Sequence, residues 1–227
     1  MTMNLQPINA VAICFLLCAA STLPACAALK RPLVLSRNGH TQYQIVIAKD
    51  APQGEHEAAK ELAKYLNQIT GAYFPITRDE ASESEFELVL GDTQRKSRSD
   101  LPEHLRTDNW EGFALLRDEK KLYVMGNIPR ATLYGVYDFL DVELGVRFLT
   151  PEATHVPANR TLKVAMKSRM YAPPIERRTI WEGGNGVVVK NRLNGNSFGH
   201  LGDELGGVKW VGRPTHTFDV LVPSEKY

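Results

Sequence analysis

Residues 112–149, with the sequence GFALLRDEKKLYVMGNIPRATLYGVYDFLDVELGVRFL, decide the fold class. Their apolar runs Gly112–Leu116 and Leu122–Met125 flank a charged turn, which predicts a β-hairpin. A helix is predicted to start in Gly126–Pro129, because proline is tolerated in the first helical turn. The apolar stripe of that helix consists of Leu133, Val136, Tyr137, Leu140 and Leu144. A hairpin followed by an amphipathic helix indicates a sheet with a helix packed on it.

The chain before the hairpin adds strands and one long helix. Leu33–Leu35 is a predicted short strand, and Tyr43–Ala48, which is rich in β-branched residues, is a second strand. Glu55–Thr70 is predicted to be helical, because its apolar residues recur every three or four positions and Gly71 stands where a helix ends. Glu85–Leu90 has its apolar residues mainly on one side, which is typical of a half-buried strand.

This order of elements predicts an α/β fold for residues 30–168. We expect a two-layer α/β sandwich, in which a mixed sheet carries its helices on one face. Gln94–Thr107 shows no long periodic pattern and is predicted to be a surface excursion. Val146–Leu149 and Leu162–Ala165 are expected to add short extended segments at the end of the domain.

The composition is that of a globular protein and narrows the function classes. The 227 residues carry 27 basic and 26 acidic side chains, for a formal net charge of +1, and 43% of them are hydrophobic. This balance excludes a disordered tail and a simple basic nucleic-acid binder. None of the six histidines belongs to a His-Glu-x-x-His motif or to a close ligand pair. We therefore expect no metal, no cofactor and no nucleic-acid partner.

The first 28 residues have the features of an export signal. No charged side chain precedes Lys30, and Ala10–Ala20 is an apolar run of 11 residues. A bilayer-spanning helix needs about 20 apolar residues, so this run suits a secretory signal better. Cleavage is predicted after Ala27 or Ala28. Export makes the protein periplasmic or secreted, or an outer-membrane lipoprotein if it keeps a lipid anchor. The alternative is that this segment is an N-terminal helix of the mature fold.

The cysteines leave open how the protein is held after export. All three, Cys14, Cys18 and Cys26, lie within the signal region, so cleavage after that region removes every thiol and every route to a disulfide. Leu23–Cys26 also resembles a bacterial lipoprotein box, and cleavage before Cys26 would leave the protein lipid-anchored. We expect contact with a membrane only through such an anchor.

The chain changes character after Pro173 and Pro174. Arg177–Trp181 is a predicted strand, and Gly183–Gly186 is a predicted loop. The 55 residues from Pro173 to Tyr227 are few for a stable domain that lacks cysteines. We expect this part to be the incomplete beginning of a second domain.

Motifs along most of the chain resemble a known architecture. The front domain is similar to the N-terminal α/β domain of bacterial alpha-glucuronidases and beta-hexosaminidases in Ala58–Leu66, Ile69–Gly71, Phe74–Ile76, Glu111–Leu115, Gly126–Leu140 and Leu144–Leu149. The later part resembles a large, mostly uncharacterised bacterial family of glycoside-hydrolase-like proteins in Arg177–Trp181, Asn191–Gly195 and Gly207–His216. The resemblance implies that a (β/α)8 barrel follows. Since such a barrel takes about 250 residues, residues 173–227 are expected to be its truncated start.

The same resemblance implies an activity on carbohydrate. We expect the N-terminal portion of an exported glycoside hydrolase that hydrolyses O-glycosyl bonds in a polysaccharide or glycan. The alternative is a non-enzymatic, carbohydrate-binding component of a surface lipoprotein. Glycoside cleavage usually needs two carboxylates across the scissile bond. No such pair is assigned among the acidic residues after Pro173, which are Glu176, Glu182, Asp203, Glu204, Asp219 and Glu225, and this chain alone is predicted to be inactive.

Four residues of the later part are predicted to bind the carbohydrate. They are Arg178, Trp181, Arg192 and Asn194, which combine an aromatic platform with donors suited to sugar hydroxyls. Trp181 ends a predicted strand, and barrel sites gather at the carboxyl ends of strands. Two alternatives stay open: Trp181 packs in a core, and Arg192 forms a structural salt bridge.

Overall fold

The computed structural model describes residues 31–106, 111–180 and 184–196, together with Leu205 and Val222. The predicted signal peptide, the predicted lipid-anchor residue Cys26 and the predicted ligand residue Trp181 lie outside the described residues.

Short strands and a few helices make up the described part of the chain. In chain order the strands are β1 (Leu33–Val34), β2 (Gln44–Ile47), β3 (Ile76–Arg78), β4 (Glu87–Leu90), β5 (Phe113–Arg117), β6 (Leu122–Gly126), β7 (Arg147–Phe148), β8 (Thr154–His155), β9 (Lys163–Val164), β10 (Arg169–Tyr171), β11 (Thr179–Ile180) and β12 (Gly195–Asn196). The α-helices are α1 (Gln53–Thr70), α2 (Glu103–Arg106), α3 (Pro129–Asp138) and α4 (Asn185–Lys190). A 3-10 turn covers Arg98–Asp100, and a π-helical turn covers Phe139–Glu143.

Six strands form one mixed sheet in the order β10-β5-β6-β4-β2-β3. Strands β3, β2, β4 and β6 are parallel, while β5 is antiparallel to β6 and β10 is antiparallel to β5. The register places Leu88 between Ile45 and Leu122, so that apolar side chains line up across the sheet. The predicted α/β class, the mixed sheet and the β5–β6 hairpin are confirmed.

Helices α1 and α3 pack against each other and bury their apolar sides in one core with the sheet. Each large side chain in such a core contributes about 1.5–3 kcal/mol. Helix α1 begins two residues before the predicted Glu55 and ends at Gly71, whose φ of 75° lies in the left-handed region. Helix α3 begins at Pro129, the last residue of the predicted start Gly126–Pro129. It approaches the sheet closely at Gly135, where an added Cβ would stand 2.7 Å from the Val124 side chain.

Gln94–Arg106, the described part of the predicted surface excursion, covers part of the opposite face of the sheet. Its Leu101 and Leu105 are buried in a second, smaller cluster with Ala114 and Met125. The prediction of a surface excursion is wrong for these two leucines. Two apolar residues four positions apart are too few to produce a periodic pattern, so this contact leaves no signal in the sequence.

The two limits of the front domain meet in space. Strand β1 pairs antiparallel with β9, which sets Leu33 opposite Val164. The edge strand β10 continues the main sheet to Tyr171, three residues beyond the predicted limit at residue 168. The domain limits themselves stay predictions.

A small β-α-β unit follows the main sheet. Strands β11 and β12 pair in parallel, and α4 lies between them in the chain. Val188 and Val189 of α4 are fully buried and belong to the same core as α1 and α3. This unit is therefore packed on the front domain and shares its core.

Candidate functional site

Two of the predicted ligand residues lie side by side at the amino ends of β11 and β12. Arg178 directly precedes β11 and Asn194 directly precedes β12, since the register pairs Thr179 with Gly195. The Asn194 N–H donates to the Arg178 carbonyl at 2.8 Å, and the Arg178 N–H donates to Asn194 Oδ1 at 2.8 Å. Barrel sites form at the carboxyl ends of strands. This pair therefore stands at the other end of β11 from Trp181, which follows the strand in sequence.

The guanidinium of Arg178 is engaged by protein groups. Nη2 donates to Glu111 Oε2 at 2.7 Å, and Nε donates to the Arg192 carbonyl at 3.1 Å. Nη1 donates to the carbonyls of Ile175 and Glu176 at 2.8 and 3.0 Å. Four of the five N–H donors of this arginine are thus used within the protein. These contacts give Arg178 a structural role, and its substrate-binding role stays a prediction.

Glu111, just before β5, is the acceptor at the centre of this arrangement. Its carboxylate accepts hydrogen bonds from Arg130 and Arg178, and Asn194 Nδ2 lies 3.3 Å from Oε1 and 3.4 Å from Oε2. Only 3% of Glu111 is exposed. Burial raises the pKa of this carboxyl, but the two guanidinium groups outweigh burial and hold the pKa below its ordinary value. Glu111, Arg130, Arg178 and Asn194 are called the Glu111 cluster below.

The sequence alone does not predict the Glu111 cluster, because its members are far apart in the chain. Arg178 is 67 residues from Glu111, and Asn194 is 83 residues from it. The only signal is a charged residue next to an apolar strand and another, Arg130, in the first turn of an apolar helix. Which charges meet depends on how the β-α-β unit packs on the front domain.

Arg192 has a different environment from Arg178. Its Nη2 donates to Asp141 Oδ2 at 3.2 Å, so the structural salt bridge that the sequence left open is present. Its φ of 60° lies in the left-handed region, which is uncommon for arginine. Nη1 of Arg192 is buried and has no hydrogen-bond partner in the described part of the chain. The substrate-binding role of Arg192 stays a prediction, with one donor atom still unused.

A second buried carboxylate, Glu55, lies where the parallel strands end. It stands in the first turn of α1 next to Gly91, which follows β4, and its exposed fraction is 0%. Arg98 Nη2 donates to Glu55 Oε1 at 2.8 Å. Burial raises the pKa of Glu55 to about 7, although Arg98 opposes the rise. A carboxyl with a raised pKa at this edge has the chemistry of a site, but full burial keeps a ligand in solvent from reaching it.

An open depression of about 530 Å³ lies beside the β5–β6 turn. It is lined by Glu83, Ser84, Glu85, Asp118, Glu119, Lys120 and Lys121. Its charges pair with one another, since Lys120 contacts Glu85 and Lys121 contacts Glu83. A shallow surface with paired charges lacks the apolar lining and convergent polar groups of a ligand pocket.

Neither a metal centre nor a catalytic pair can be assembled from the described residues. No group of three or more His, Cys, Asp or Glu side chains among them is arranged to hold a metal ion. Of the acidic residues after Pro173, Glu176 is described, and its carbonyl accepts from Asn194 Nδ2 at 2.6 Å. The other five lie outside the described residues. In the same described part, no helix has the length and apolar character needed to cross a membrane.

Three solved structures are similar to the chain over part of its length. A mutant Streptomyces plicatus beta-hexosaminidase in complex with its product GlcNAc is 16% identical, over 73% of this chain and 31% of its own, with a TM-score of 0.47. A family GH115 4-O-methyl-alpha-glucuronidase with specificity for decorated arabinogalactans is 17% identical, over 73% of this chain and 26% of its own, with a TM-score of 0.48. The GH20 beta-N-acetylhexosaminidase of Streptomyces coelicolor is 16% identical, over 66% of this chain and 25% of its own, with a TM-score of 0.45. The chain thus spans less than a third of the length of these structures, and likenesses of this degree carry no conclusion about substrate.

The family comparison is confined to the front domain. No curated protein matches the chain. Residues 34–139 match the family described as Glycosyl hydrolase family 67 N-terminus. This range contains α1, α3 and every strand of the main sheet except β10. The chain therefore carries a glycoside-hydrolase-like N-terminal domain.

Proposed function

We propose that the chain is the N-terminal portion of an exported glycoside hydrolase that cleaves O-glycosyl bonds in a polysaccharide or glycan. The observation that carries this proposal is the match of residues 34–139 to the N-terminus of glycosyl hydrolase family 67. The front domain serves as a support in this proposal. Two of its buried carboxylates, Glu55 and Glu111, are engaged inside the protein and are closed to a substrate.

The β-α-β unit is the proposed start of a catalytic barrel. Strands β11 and β12 are parallel and α4 lies between them in the chain, which is the repeating unit of a (β/α)8 barrel. The carboxyl ends of these strands are where a barrel would place its substrate. The catalytic carboxylates are proposed to lie at the carboxyl ends of strands that follow.

A carbohydrate is the proposed substrate, and Trp181, which follows β11 in sequence, is the proposed ligand residue at this end. The match of the front domain to the N-terminus of a glycosyl hydrolase family supports this substrate class. An indole ring can stack on the apolar face of a sugar. The Nη1 atom of Arg192 is buried, so it is closed to a ligand in solvent. Arg178 and Asn194 contribute by holding the two strands together.

The activity test uses the complete protein that the gene encodes. It is incubated with 4-nitrophenyl glycosides of N-acetylglucosamine and glucuronic acid and with oligosaccharides from plant and host polysaccharides. Release of 4-nitrophenol or of a monosaccharide is expected, while residues 29–227 alone release none. Binding to an immobilised glycan without any release would favour the alternative, a non-enzymatic binding component of a surface lipoprotein. Neither binding nor release across the panel would overturn the proposal.

The ligand role of Trp181 has its own test in the same complete protein. Trp181→Ala is expected to weaken glycan binding or turnover at least tenfold and to leave the melting temperature nearly unchanged, because the role proposed for the ring is to stack on a ligand. Trp210→Ala is the control, since it removes the same side chain from another position. If Trp181 packs in a core instead, its removal should lower the free energy of unfolding by about 3–5 kcal/mol.

Export is part of the proposal and is tested on the mature protein. The protein is isolated from a bacterial host, and the mass of its N-terminal peptide is measured. Cleavage after Ala27 or Ala28 is expected from the apolar run and the small residues that follow it. A diacylglyceryl adduct on Cys26, absent in Cys26→Ser, would identify a lipoprotein instead. An N-terminal peptide that still begins in the first ten residues would contradict export by this signal.

A further inference from the structure

We infer that Glu111 is a positioning residue, which fixes β11 and β12 on the front domain and so sets the direction in which the chain leaves β11 toward Trp181. The inference depends on the proposed function in one respect only, which is that Trp181 binds a ligand. The fixing of the two strands rests on contacts within the described residues.

The first observation is that two cations balance the charge of the Glu111 carboxylate. One carboxylate accepts from two guanidinium groups, Arg130 on α3 and Arg178 before β11. The side chains of Glu111, Arg130 and Arg178 are 3%, 10% and 13% exposed, so water screens their charges little. Without the carboxylate, two partly desolvated cations would face each other. Arg130 belongs to the front domain, so repulsion would act on Arg178 and on the strand that it precedes.

The second observation is that Arg178 connects the carboxylate to several points of the β-α-β unit. Its guanidinium donates to the carbonyls of Ile175, Glu176 and Arg192, in addition to Glu111. Asn194 does the same from β12, since its Nδ2 donates to the Glu176 carbonyl at 2.6 Å and lies 3.3 Å from Glu111 Oε1. The chain before β11 and the chain before β12 are therefore tied to one carboxylate.

The remaining contacts of the unit with the front domain include apolar burial and separate polar contacts. Val188 and Val189 of α4 are buried in the core, and apolar burial has no preferred direction. The Tyr134 hydroxyl donates to the Leu193 carbonyl at 2.6 Å, which gives a directional contact near the start of β12. Two further directional contacts run from Asn191 Nδ2 to the Phe148 carbonyl and from Arg192 Nη2 to Asp141 Oδ2, each at 3.2 Å. Hydrogen bonds to charged groups have defined geometry and are the stronger class. The Glu111 cluster differs from these separate contacts because one buried carboxylate contacts the residues just before both β11 and β12, so we expect it to contribute most to the angle of β11.

The test compares Glu111→Gln with Glu87→Gln by hydrogen exchange on the complete protein. Glu87 on β4 is a matched control, because it is equally buried and contacts two cations, Arg95 and Lys121. In Glu111→Gln, amide exchange in residues 185–196 should rise at least tenfold more than exchange in α1. In Glu87→Gln the two regions should change by the same factor. An equal change of both regions in Glu111→Gln, or no change in residues 185–196, would overturn the inference.

A spectroscopic readout separates positioning from a general loss of stability. The chain has three tryptophans, so Trp110→Phe with Trp210→Phe leaves Trp181 as the reporter within the sequence given. In residues 29–227 with this background, Glu111→Gln should shift the emission of Trp181 and at least double its quenching by acrylamide, and Glu87→Gln should do neither. If Glu111→Gln does not fold, Asn194→Ala removes one of the ties to Glu111 and should give the same pattern at smaller amplitude.

A failure of the proposed function is distinguishable from a failure of this inference. If Trp181→Ala leaves glycan binding unchanged while Glu111→Gln still loosens residues 185–196, the ligand role is lost and the positioning stands. If Trp181→Ala abolishes binding but Glu111→Gln moves neither exchange nor fluorescence, the positioning is wrong and the function stands. Where turnover is measurable, Glu111→Gln should raise KM at least fivefold with kcat changed less than twofold.

Discussion

Glu55 and Glu111 are both almost fully buried glutamates, but their surroundings shift their pKa values in opposite directions. Glu55 contacts one cation, Arg98, and burial raises its pKa to about 7. Burial acts on Glu111 in the same direction, but Arg130 and Arg178 outweigh it and the pKa falls below its ordinary value. The comparison shows that the number of cations within reach, and not burial alone, decides whether a carboxylate inside this fold stays charged.

The positions of the two residues match this difference. Glu55 lies inside the front domain, between the start of α1 and the turn after β4, where it closes a gap next to Gly91. Glu111 lies where the front domain meets the β-α-β unit and takes one of its cations from each side. A neutral or half-protonated carboxyl suffices to fill space, while a contact between two parts of a chain gains direction from a full charge.

The largest expected effect comes from removing the charge of Glu111. At pH 5, Glu111→Gln should lower the free energy of unfolding by about 3–5 kcal/mol, because it leaves buried guanidinium groups without their anion. Glu55→Gln at the same pH should lower it by less than about 1 kcal/mol, because glutamine resembles the protonated acid in shape and polarity. Urea denaturation followed by circular dichroism measures both. Equal losses in the two variants would contradict the comparison.

The next effect is a dependence of stability on pH with opposite signs for the two residues. The pKa of Glu55 is about 7 in the folded protein against 4.5 ordinarily. The folded state therefore binds more protons than the unfolded state between these values. Stability falls as pH rises from about 4.5 to about 7, by about 3 kcal/mol in total. For Glu111 the folded pKa is lowered, so its contribution is present above pH 4.5 and is lost as pH falls through the folded value.

Denaturation between pH 4 and pH 8 measures this dependence. Glu55→Gln should be flatter than the unmodified protein from pH 5 to pH 7 and should be the more stable of the two at pH 8. A Glu55→Gln protein whose stability falls with pH as steeply as that of the unmodified protein would show that Glu55 does not titrate in this range.

A smaller effect tests the close approach of Gly91 to Glu55. Gly91 and Gly71 have φ values of 76° and 75°, so alanine at either position should cost about 1–2 kcal/mol of backbone strain. A Cβ on Gly91 would lie 2.2 Å from the Glu55 carboxyl carbon, whereas the nearest atom to a Cβ on Gly71 is 3.9 Å away. Gly91→Ala should therefore lower the melting temperature more than Gly71→Ala does. Adding Glu55→Ala to Gly91→Ala should remove the clash, and identical losses at the two glycines would contradict it.

The smallest effect is expected at an exposed ion pair, which extends the comparison to the surface. Lys120 contacts Glu85, and their side chains are 46% and 62% exposed. Lys120→Ala should change the free energy of unfolding by less than about 0.5 kcal/mol, because water already screens this pair. Denaturation at low and high salt checks this. A loss approaching that of Glu111→Gln would mean that burial does not separate these pairs.

Local chemistry made several elements of this fold predictable. Apolar residues every three or four positions indicated α1, the glycine after them marked its end, and proline marked the start of α3. Two apolar runs around a charged turn indicated the β5–β6 hairpin. These signals involve residues that are close together in the sequence, so they can be recognised without knowing how the elements pack. The family resemblance of the front domain rests on the same segments.

Contacts between distant residues required the tertiary structure. The order of strands in the sheet, the burial of Leu101 and Leu105 on its second face and the joining of β1 to β9 involve pairings that leave no periodic signal. The candidate site shows most clearly what cannot be predicted from the sequence alone. Residue type alone suggested Arg178 and Asn194 as sugar ligands. The fold instead brings both to the Glu111 carboxylate, which is 67 residues from Arg178 and 83 residues from Asn194.

Side-chain type and local spacing thus determined the elements and the fold class of this protein, because hydrogen bonds within a helix or turn and the periodicity of a face are local properties. The roles of its charged residues were decided by tertiary structure, because the energy of a charge depends on which charges and how much water lie within a few ångströms of it. The sequence alone does not distinguish the role of Glu55 from that of Glu111. Their neighbours in space, Arg98 for one and Arg130 with Arg178 for the other, make one a titrating group and the other a fixed anion.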